Sequence, residues 1–425
     1  MPQYSELGRE QLEALHKDLL AEYDRAKDLG LDLDMSRGKP SAVQVGLSLP
    51  MMELVTADTG ILAEDGTNCG NYGALDGIPE AKRLMASMLS ILHKNVFIGG
   101  NSSLNLMHDV IGHAYVHGLP QSPRPWRLEP EVKFLCPSPG YDRHFAVTEH
   151  FGFTLVQVDM TAEGPDMTQV EELVKDPTVK GIWNIPKYSN PTGITYSDDT
   201  VRRLAALSPA APDFRIFWDN AYAVHDLDVD SPDVLLNLME ELRLTGKEDM
   251  VFMFTSTSKV TFPGAGISAI GTSDGNMEWL RKHFSLQTIG YDKLSQLRHA
   301  RYLPDLTALR AHMKKHATML RPKFDTVMKA LHTLDGLGIS SWEKPHGGYF
   351  IALDVPDGCA KRVVALCKEA GVVMTPAGAT HPYGNDPQDR TIRIAPTFPT
   401  PEELEKAADL LCLCVKLASV EKLLS

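Results

Sequence analysis

A chain of 425 residues, 43% apolar and 23% charged, has the composition of a globular protein with room for a large core and two or three subdomains. Its net charge of −13, with no Lys/Arg cluster, argues against a nucleic-acid surface, which needs a basic stripe. Six scattered cysteines with no C-x-x-C pair do not make a disulfide framework, and no run of about 20 apolar residues could cross a bilayer, so a cytoplasmic protein is expected.

The first thirty residues read as an amphipathic helix, with Leu12, Leu15, Leu19 and Leu20 at helical spacing and no apolar core of a signal peptide. A sharp turn follows at Ser36-Arg37-Gly38-Lys39-Pro40. From about residue 75 to 300, helical stretches such as 168–175 and 198–207 alternate with short apolar runs. Those runs, at 132–136, 154–159, 181–185, 215–218, 251–254 and 266–270, are the strand candidates. Such alternation predicts an α/β fold, a mostly parallel sheet with helices on both faces. Ligands of these sheets bind beyond the carboxyl ends of the strands. The Pro-rich piece 119–130 reads as an ordered surface loop. A long helix over 306–334 leads to a smaller α+β region with strands at 348–354, 372–375 and 391–394 and a closing helix over 401–417. The expected division is an N-terminal arm with part of the small domain at 1–48, a large α/β domain at 49–305, and a small α+β domain at 306–425.

The segment 251–259 (Val-Phe-Met-Phe-Thr-Ser-Thr-Ser-Lys) is the most informative. An apolar strand runs into hydroxyl residues and then an amine, Lys259, at the carboxyl edge of the sheet. Burial there disfavours the ammonium and leaves a neutral amine able to attack an aldehyde. The serines could cradle a phosphate. Together they suggest a Schiff-base lysine holding pyridoxal phosphate (PLP); a surface lysine after a strand is the plain alternative. Segment 185–193 (Ile-Pro-Lys-Tyr-Ser-Asn-Pro-Thr-Gly) is a rigid turn that would aim the Asn190 amide at a phenolate oxygen, or simply a tight loop before the next helix. In segment 216–222 (Ile-Phe-Trp-Asp-Asn-Ala-Tyr) a carboxylate directly follows an apolar run. Asp219 would keep a pyridine nitrogen protonated, so that the ring draws electrons, and Tyr222 would share the phenolate with Asn190. Capping of a following helix is the alternative for Asp219. Gly99-Gly100-Asn101-Ser102-Ser103, ahead of an apolar helix over 104–115, gathers N–H groups, hydroxyls and a positive dipole end into an anion site, or is a plain Ser N-cap.

In this order and at these separations, the segments resemble those of the fold-type-I PLP-dependent aminotransferases, with further likeness at 71–77 and 391–396. The turn at 36–40 and the segment 261–266 (Thr-Phe-Pro-Gly-Ala-Gly) look most like the aspartate aminotransferase subgroup related to MocR-type domains. The resemblance implies that Lys259 binds the cofactor and shuttles the proton, and that Asp219 holds the pyridine nitrogen. It implies Asn190 and Tyr222 on the phenolic oxygen, Asn101, Ser102, Ser103 and Ser256 on the phosphate, and Tyr141 stacked on the ring. Tyr72 would reach the phosphate of a neighbouring subunit, making a homodimer part of the site. Arg393 would grip the α-carboxylate of an amino acid or 2-oxo acid, as a guanidinium can through two parallel hydrogen bonds. A structural ion pair is the alternative. Arg37 and Gly38 are expected on the substrate as well, with Lys39, Lys293, Arg298 and Arg301 as other cations for a second carboxylate.

One departure stands out. Many relatives carry a phosphate-binding arginine eight or nine residues after the lysine; here those positions hold Ile267 and Ser268. Phosphate charge must then be balanced by hydroxyls, backbone N–H groups or another cation. The glycines at 264, 266 and 271 lack the G-x-G-x-x-G spacing of a nicotinamide site. His113/His117 and His312/His316 have i,i+4 spacing without H-E-x-x-H, read as packed or solvated helix histidines, and no metal is expected. The expected activity is transamination between an amino acid, L-aspartate by subgroup resemblance, and 2-oxoglutarate. Alternatives are aromatic transamination or β-elimination on the same fold, or a PLP-binding effector module. The regulators of that last kind carry a winged helix ahead of the fold, whereas about thirty residues precede the turn here.

Overall fold

The computed structural model describes residues 2–425. Its strands, in chain order, are β1 (Leu33–Asp34), β2 (Val96–Ile98), β3 (Lys133–Ser138), β4 (Thr154–Thr161), β5 (Gly164–Pro165), β6 (Val179–Asn184), β7 (Arg215–Asp219), β8 (Val251–Ser256), β9 (Ser268–Gly271), β10 (Ser341–Trp342), β11 (Ile351–Asp354), β12 (Val372–Val373) and β13 (Thr391–Ile394). Eight of them form one sheet in the order β2-β9-β8-β7-β6-β3-β4-β5. Strands β3, β4, β6, β7 and β8 are mutually parallel. Strand β9 runs against both neighbours, and β5 folds back on β4.

Strand β8 shows why these sequences are strands buried on two faces. All six residues are buried. Phe252 and Phe254 face the helices Ser103–His117 and Asp274–Phe284; Val251 and Met253 face Met167–Leu173, Asp198–Ala206 and Leu238–Arg243. An unbroken apolar run is what a parallel strand covered on both sides requires. Phe254 stacks on Phe217 of β7 at 5.9 Å, and cutting either ring back to alanine would cost about 3–5 kcal/mol.

Strands β1, β5 and β10 lie outside the expected candidates, β11 and β12 are shorter than expected, and two further strands differ for a physical reason. Strand β9 begins at Ser268 rather than 266, and it is antiparallel, because the link from Ser256 is too short for a crossover helix. Strand β2 has only three residues, too few to show a pattern. The 119–130 piece is held by buried Trp126, whose Nε1 donates to Asp213 at 2.8 Å.

The remaining strands join the two ends of the chain. Strand β1 pairs in parallel with β12, and β10, β11 and β13 form an antiparallel sheet. The helix Arg9–Lys27 buries Leu12, Leu19 and Tyr23 in the same core as the closing helix, which runs to Leu424, past the expected 417. The helix Leu306–Leu331 contributes Leu320, Phe324 and Val327 to that core.

Candidate active site

Because β2 and β8 point the same way, the polar residues after β2, β3, β6, β7 and β8 all gather at one edge of the sheet. Beyond β8 the chain turns tightly, with the Val260 and Thr261 N–H groups donating to the Thr257 carbonyl. Buried histidines brace this turn. His299 gives its Nδ1 hydrogen to the Ser295 carbonyl at 2.7 Å, so its Nε2 accepts from Thr257 and Thr261 at 3.1 and 2.8 Å. His312 Nε2 donates to the Val260 carbonyl at 2.7 Å. Burial lowers His299 to about 4, and it lowers His312 as well, so both stay neutral.

The turn presents Lys259, whose Nζ lies 4.9 Å from the Tyr222 ring centroid and 5.9 Å from that of Tyr349. The side chain is reachable from the cleft mouth yet surrounded by protein. Burial lowers its pKa from the ordinary lysine value, and the Asp219 carboxylate offsets part of that fall.

Asp219 ends β7, and no helix follows it: residues 221–224 form a turn, so the capping alternative fails. His144 Nε2 donates to Asp219 Oδ2 at 3.0 Å, while Oδ1 is buried with no hydrogen-bond partner. A buried carboxylate oxygen left unpaired is costly unless a donor is meant to meet it. That orphan oxygen fits the protonated nitrogen of a pyridine ring. The His144 ring is itself fixed by stacking on Trp183 at 4.3 Å, and Tyr141 meets it edge-on at 5.0 Å.

Tyr222 is buried beside Lys259, and burial, then Tyr141 and Asp219, push its hydroxyl well above its ordinary pKa. It is a neutral donor. Tyr141 is likewise pushed up to about 12, first by burial and then by Asp219. Asn190 lies on the turn after β6, closed by Gly193 at φ +75°, where a Cβ would stand 2.7 Å from Pro345 Cβ. The Asn190 Oδ1 accepts from Arg393 Nη1 at 3.3 Å, which leaves its NH2 to donate elsewhere.

Arg393 shows both of its sequence readings at once. From the middle of β13 it reaches the cleft, and Nη1 also pairs with Asp142 Oδ1 at 2.9 Å. Its Nε donates to Thr375 Oγ1 at 3.3 Å, and the guanidinium lies 5.0 Å from the Phe350 ring centroid. The Thr375 hydroxyl donates to the Ser36 carbonyl at 2.9 Å, tying the 36–40 turn to Arg393. Gly38 passes so close to Phe350 that a Cβ would lie 2.4 Å from Cζ. Arg37 is exposed on this turn and makes no ion pair among the described residues. Of the other candidate cations, Arg301 donates to the carbonyls of Leu54 and Gly60, Lys293 to that of Gly73 and Arg298 to that of Leu294, while Lys39 Nζ lies 3.9 Å from the Phe398 ring centroid.

The 99–103 loop is stitched to the lysine turn. Ser256 Oγ donates to Ser258 Oγ at 3.1 Å, and Ser258 Oγ to the Asn101 carbonyl at 2.7 Å. Ser102 caps the helix Ser103–His117 by accepting from Leu104 N–H at 3.3 Å. The Asn101 amide turns to the Pro263 carbonyl at 3.1 Å, so it is not aimed at the anion site expected of this loop. Ile267 is buried in the core and Ser268 Oγ donates to the Gly100 carbonyl. Tyr72, 82% exposed, is not brought to the cleft within one chain.

Sequence reading missed His144, Asp142 and His225, and covered Ser258 only in reading the serines before Lys259 as a phosphate cradle. His225 is buried between Tyr222 and Tyr349 with neither nitrogen hydrogen-bonded, and burial and Lys259 hold it well below its ordinary pKa. His144, Asp142 and His225 carried no signal in the sequence.

A family profile described as Aspartate amino-transferase matches residues 7–425. The chain is 45% identical over 413 residues to an aspartate aminotransferase of Corynebacterium glutamicum, covering 97% of this chain and 95% of that protein. A solved structure of an aspartate transaminase from C. glutamicum has a TM-score of 0.96 at 44% identity, over 98% of each chain. The structure of a kynurenine aminotransferase from Pyrococcus horikoshii, in complex with PMP, shares the fold: TM-score 0.74 at 18% identity, over 93% of this chain and 94% of that one.

Proposed function

The chain belongs to the aspartate amino-transferase family and is a PLP-dependent transaminase, and we propose that it exchanges an amino group between L-aspartate and 2-oxoglutarate in a ping-pong cycle. The observation that carries this reading is Asp219, with one oxygen tied to His144 and the other buried and unpaired 40 residues before the depressed amine of Lys259.

On this reading Asp219 holds a proton on the pyridine nitrogen, and Tyr222 with the Asn190 NH2 donates to the phenolic oxygen. Tyr141 packs on the ring. Ser102, Ser103, Ser256, Ser258 and the N–H groups opening the Ser103–His117 helix take the phosphate, with Asn101 contributing its backbone. When bound, PLP supplies the electron sink that weakens the substrate's Cα–H bond. Lys259 anchors the cofactor; once displaced, its neutral amine carries the α-proton. Arg393 orients the α-carboxylate so that this hydrogen faces Lys259. Donor and acceptor carboxylates use the same guanidinium in turn, which is the logic of a ping-pong cycle.

We assign the distal carboxylate to Arg37. Its support is the link from Ser36 through Thr375 to Arg393, the close approach of Gly38 to Phe350, and the lack of any competing ion pair among the described residues. Tyr72, exposed on the surface, is proposed to serve the phosphate cup of a second copy in a homodimer.

The test is glutamate formation from 2-oxoglutarate with a panel of amino donors. Aspartate should show the highest kcat/KM, and Arg37→Ala should raise its KM more than that of alanine. An aromatic donor outpacing aspartate would replace the substrate assignment. A bound yellow cofactor with no turnover on any donor would overturn the reading.

A further inference from the structure

Away from the cleft, the helices Ser103–His117 and Asp274–Phe284 pack together on one face of the large sheet. His113 and His117 stand one turn apart near the end of the first, and His283 lies in the last turn of the second. The ring centroids of His117 and His283 are 4.8 Å apart, those of His113 and His283 5.3 Å, and those of His113 and His117 6.1 Å. One ligand nitrogen from each ring lies within 4.8 Å of the other two. The i,i+4 pair alone reads as solvated helix histidines. The third imidazole, from a distant part of the chain, changes that reading.

We propose that His113, His117 and His283 form a binding site for one divalent transition-metal ion of the zinc class. Tetrahedral zinc with imidazole ligands at 2.0–2.1 Å sets nitrogens about 3.3 Å apart. The nitrogens already lie within 4.8 Å, and His117 is exposed, so a side-chain rotation closes the gap. His283 is 8% exposed, and among the described residues neither ring nitrogen has a hydrogen-bond partner.

The surroundings favour the same ion. His113 Nε2 donates to Gln287 Oε1 at 3.3 Å, and Gln287 Nε2 donates to Asp109 Oδ2 at 2.7 Å. Such a relay fixes the tautomer and turns the other ring nitrogen, Nδ1, into the ligand atom. Trp279 walls the cluster, 5.0 Å from His283 and 6.2 Å from His113. Both helices present their carboxyl ends here, where positive charge is favoured. Three imidazoles select zinc, copper, nickel or cobalt over magnesium or calcium. The fourth position is open to water. A bound ion would staple together the two helices, one of which opens on the phosphate cup at its far end.

Untagged holoenzyme dialysed against Zn2+ should take up one ion per chain at micromolar free metal, and its thermal midpoint should rise with zinc concentration. Changes behind the ligands alone cost metal sites about 10–100-fold in affinity, so His117→Gln, which removes a ligand, should weaken binding by at least tenfold. That variant should also lose the zinc-dependent rise in midpoint while turning over substrate at the normal rate, since His117 is exposed and remote from the cleft. His283→Gln should lose zinc in parallel. Uptake only at millimolar zinc, or micromolar uptake unchanged in His117→Gln, would overturn the site.

Discussion

Asp142→Asn should tighten the enzyme's hold on its substrates. The Arg393 side chain is 8% exposed, and its Nη1 is shared between Asp142 Oδ1 at 2.9 Å and Asn190 Oδ1 at 3.3 Å. Thr375 occupies Nε. A carboxylate gripped in bidentate fashion needs two neighbouring N–H groups of the fork, so an incoming substrate competes with an internal carboxylate for Nη1. Asp142 is 34% exposed, and solvent screening at such a site limits the pair to about 1 kcal/mol. Asparagine keeps an oxygen to accept from Nη1 but removes the charge. About 1 kcal/mol of competition then disappears, a factor of about five in affinity. The KM for aspartate should fall about fivefold, with kcat changed less than about twofold, because the contact is made equally before and during the chemical step. Steady-state oxaloacetate formation gives both constants. Titration with an unreactive dicarboxylate such as maleate gives the affinity without turnover. If both the KM and the maleate constant rise, Asp142 aligns Arg393 and does not compete with substrate, and the reasoning fails.

Lys259→Ala should lower turnover by at least about 10²–10⁴-fold, the contribution of a positioned proton carrier; borohydride should no longer fix the cofactor to the protein, and retained activity would move the central amine elsewhere. Asp219→Ala should slow the reaction by about 10²–10³-fold and loosen the cofactor on dialysis. A near-normal rate would mean that this carboxylate serves only to hold His144.

The large sheet was legible because β8 and β7 are apolar on both faces and stop abruptly at polar residues, Ser256 and Asp219, which the fold then collects at one edge. What failed to show was direction and partnership. An apolar run at 266–270 looks the same in either sense, although the short link from Ser256 to Ser268 already forbids a parallel crossover. His144 and Asp142 sit on the helix Asp142–His150, and their meaning depends on what that helix leans against: Asp219 on one side, Arg393 on the other. No local pattern encodes a contact between residues 144 and 219. The same limit applies to the cations, where Arg301 looked available until backbone carbonyls claimed it. It applies to the histidines too, since a pair one turn apart gains a third member only after folding.

The absence of an arginine at both 267 and 268 has a consequence for how the cofactor would be held. Ile267 is buried in the core, and its N–H donates to Thr257 Oγ1 at 3.0 Å, inside the turn that carries Lys259. A guanidinium there would have to be buried in place of an apolar chain, a cost that only a full ion pair with phosphate could offset. The chain instead offers a helix start and a run of hydroxyls from Ser256 to Ser258 that ends on the Asn101 carbonyl. A helix N-terminus contributes about 0.3–2 kcal/mol to a bound anion, less than a bidentate arginine would in a dry site. On the proposed reading, phosphate recognition is weaker in charge, and more of the burden of retaining the cofactor would fall on Lys259 and the unpaired oxygen of Asp219. The three histidines that brace or border the lysine turn, His299, His312 and His225, lie below their ordinary pKa for the same reason that the lysine does, burial at the end of β8. Low local dielectric strengthens the few charges such a site keeps, and the Asp219 carboxylate accordingly offsets part of the fall that burial imposes on the Lys259 amine.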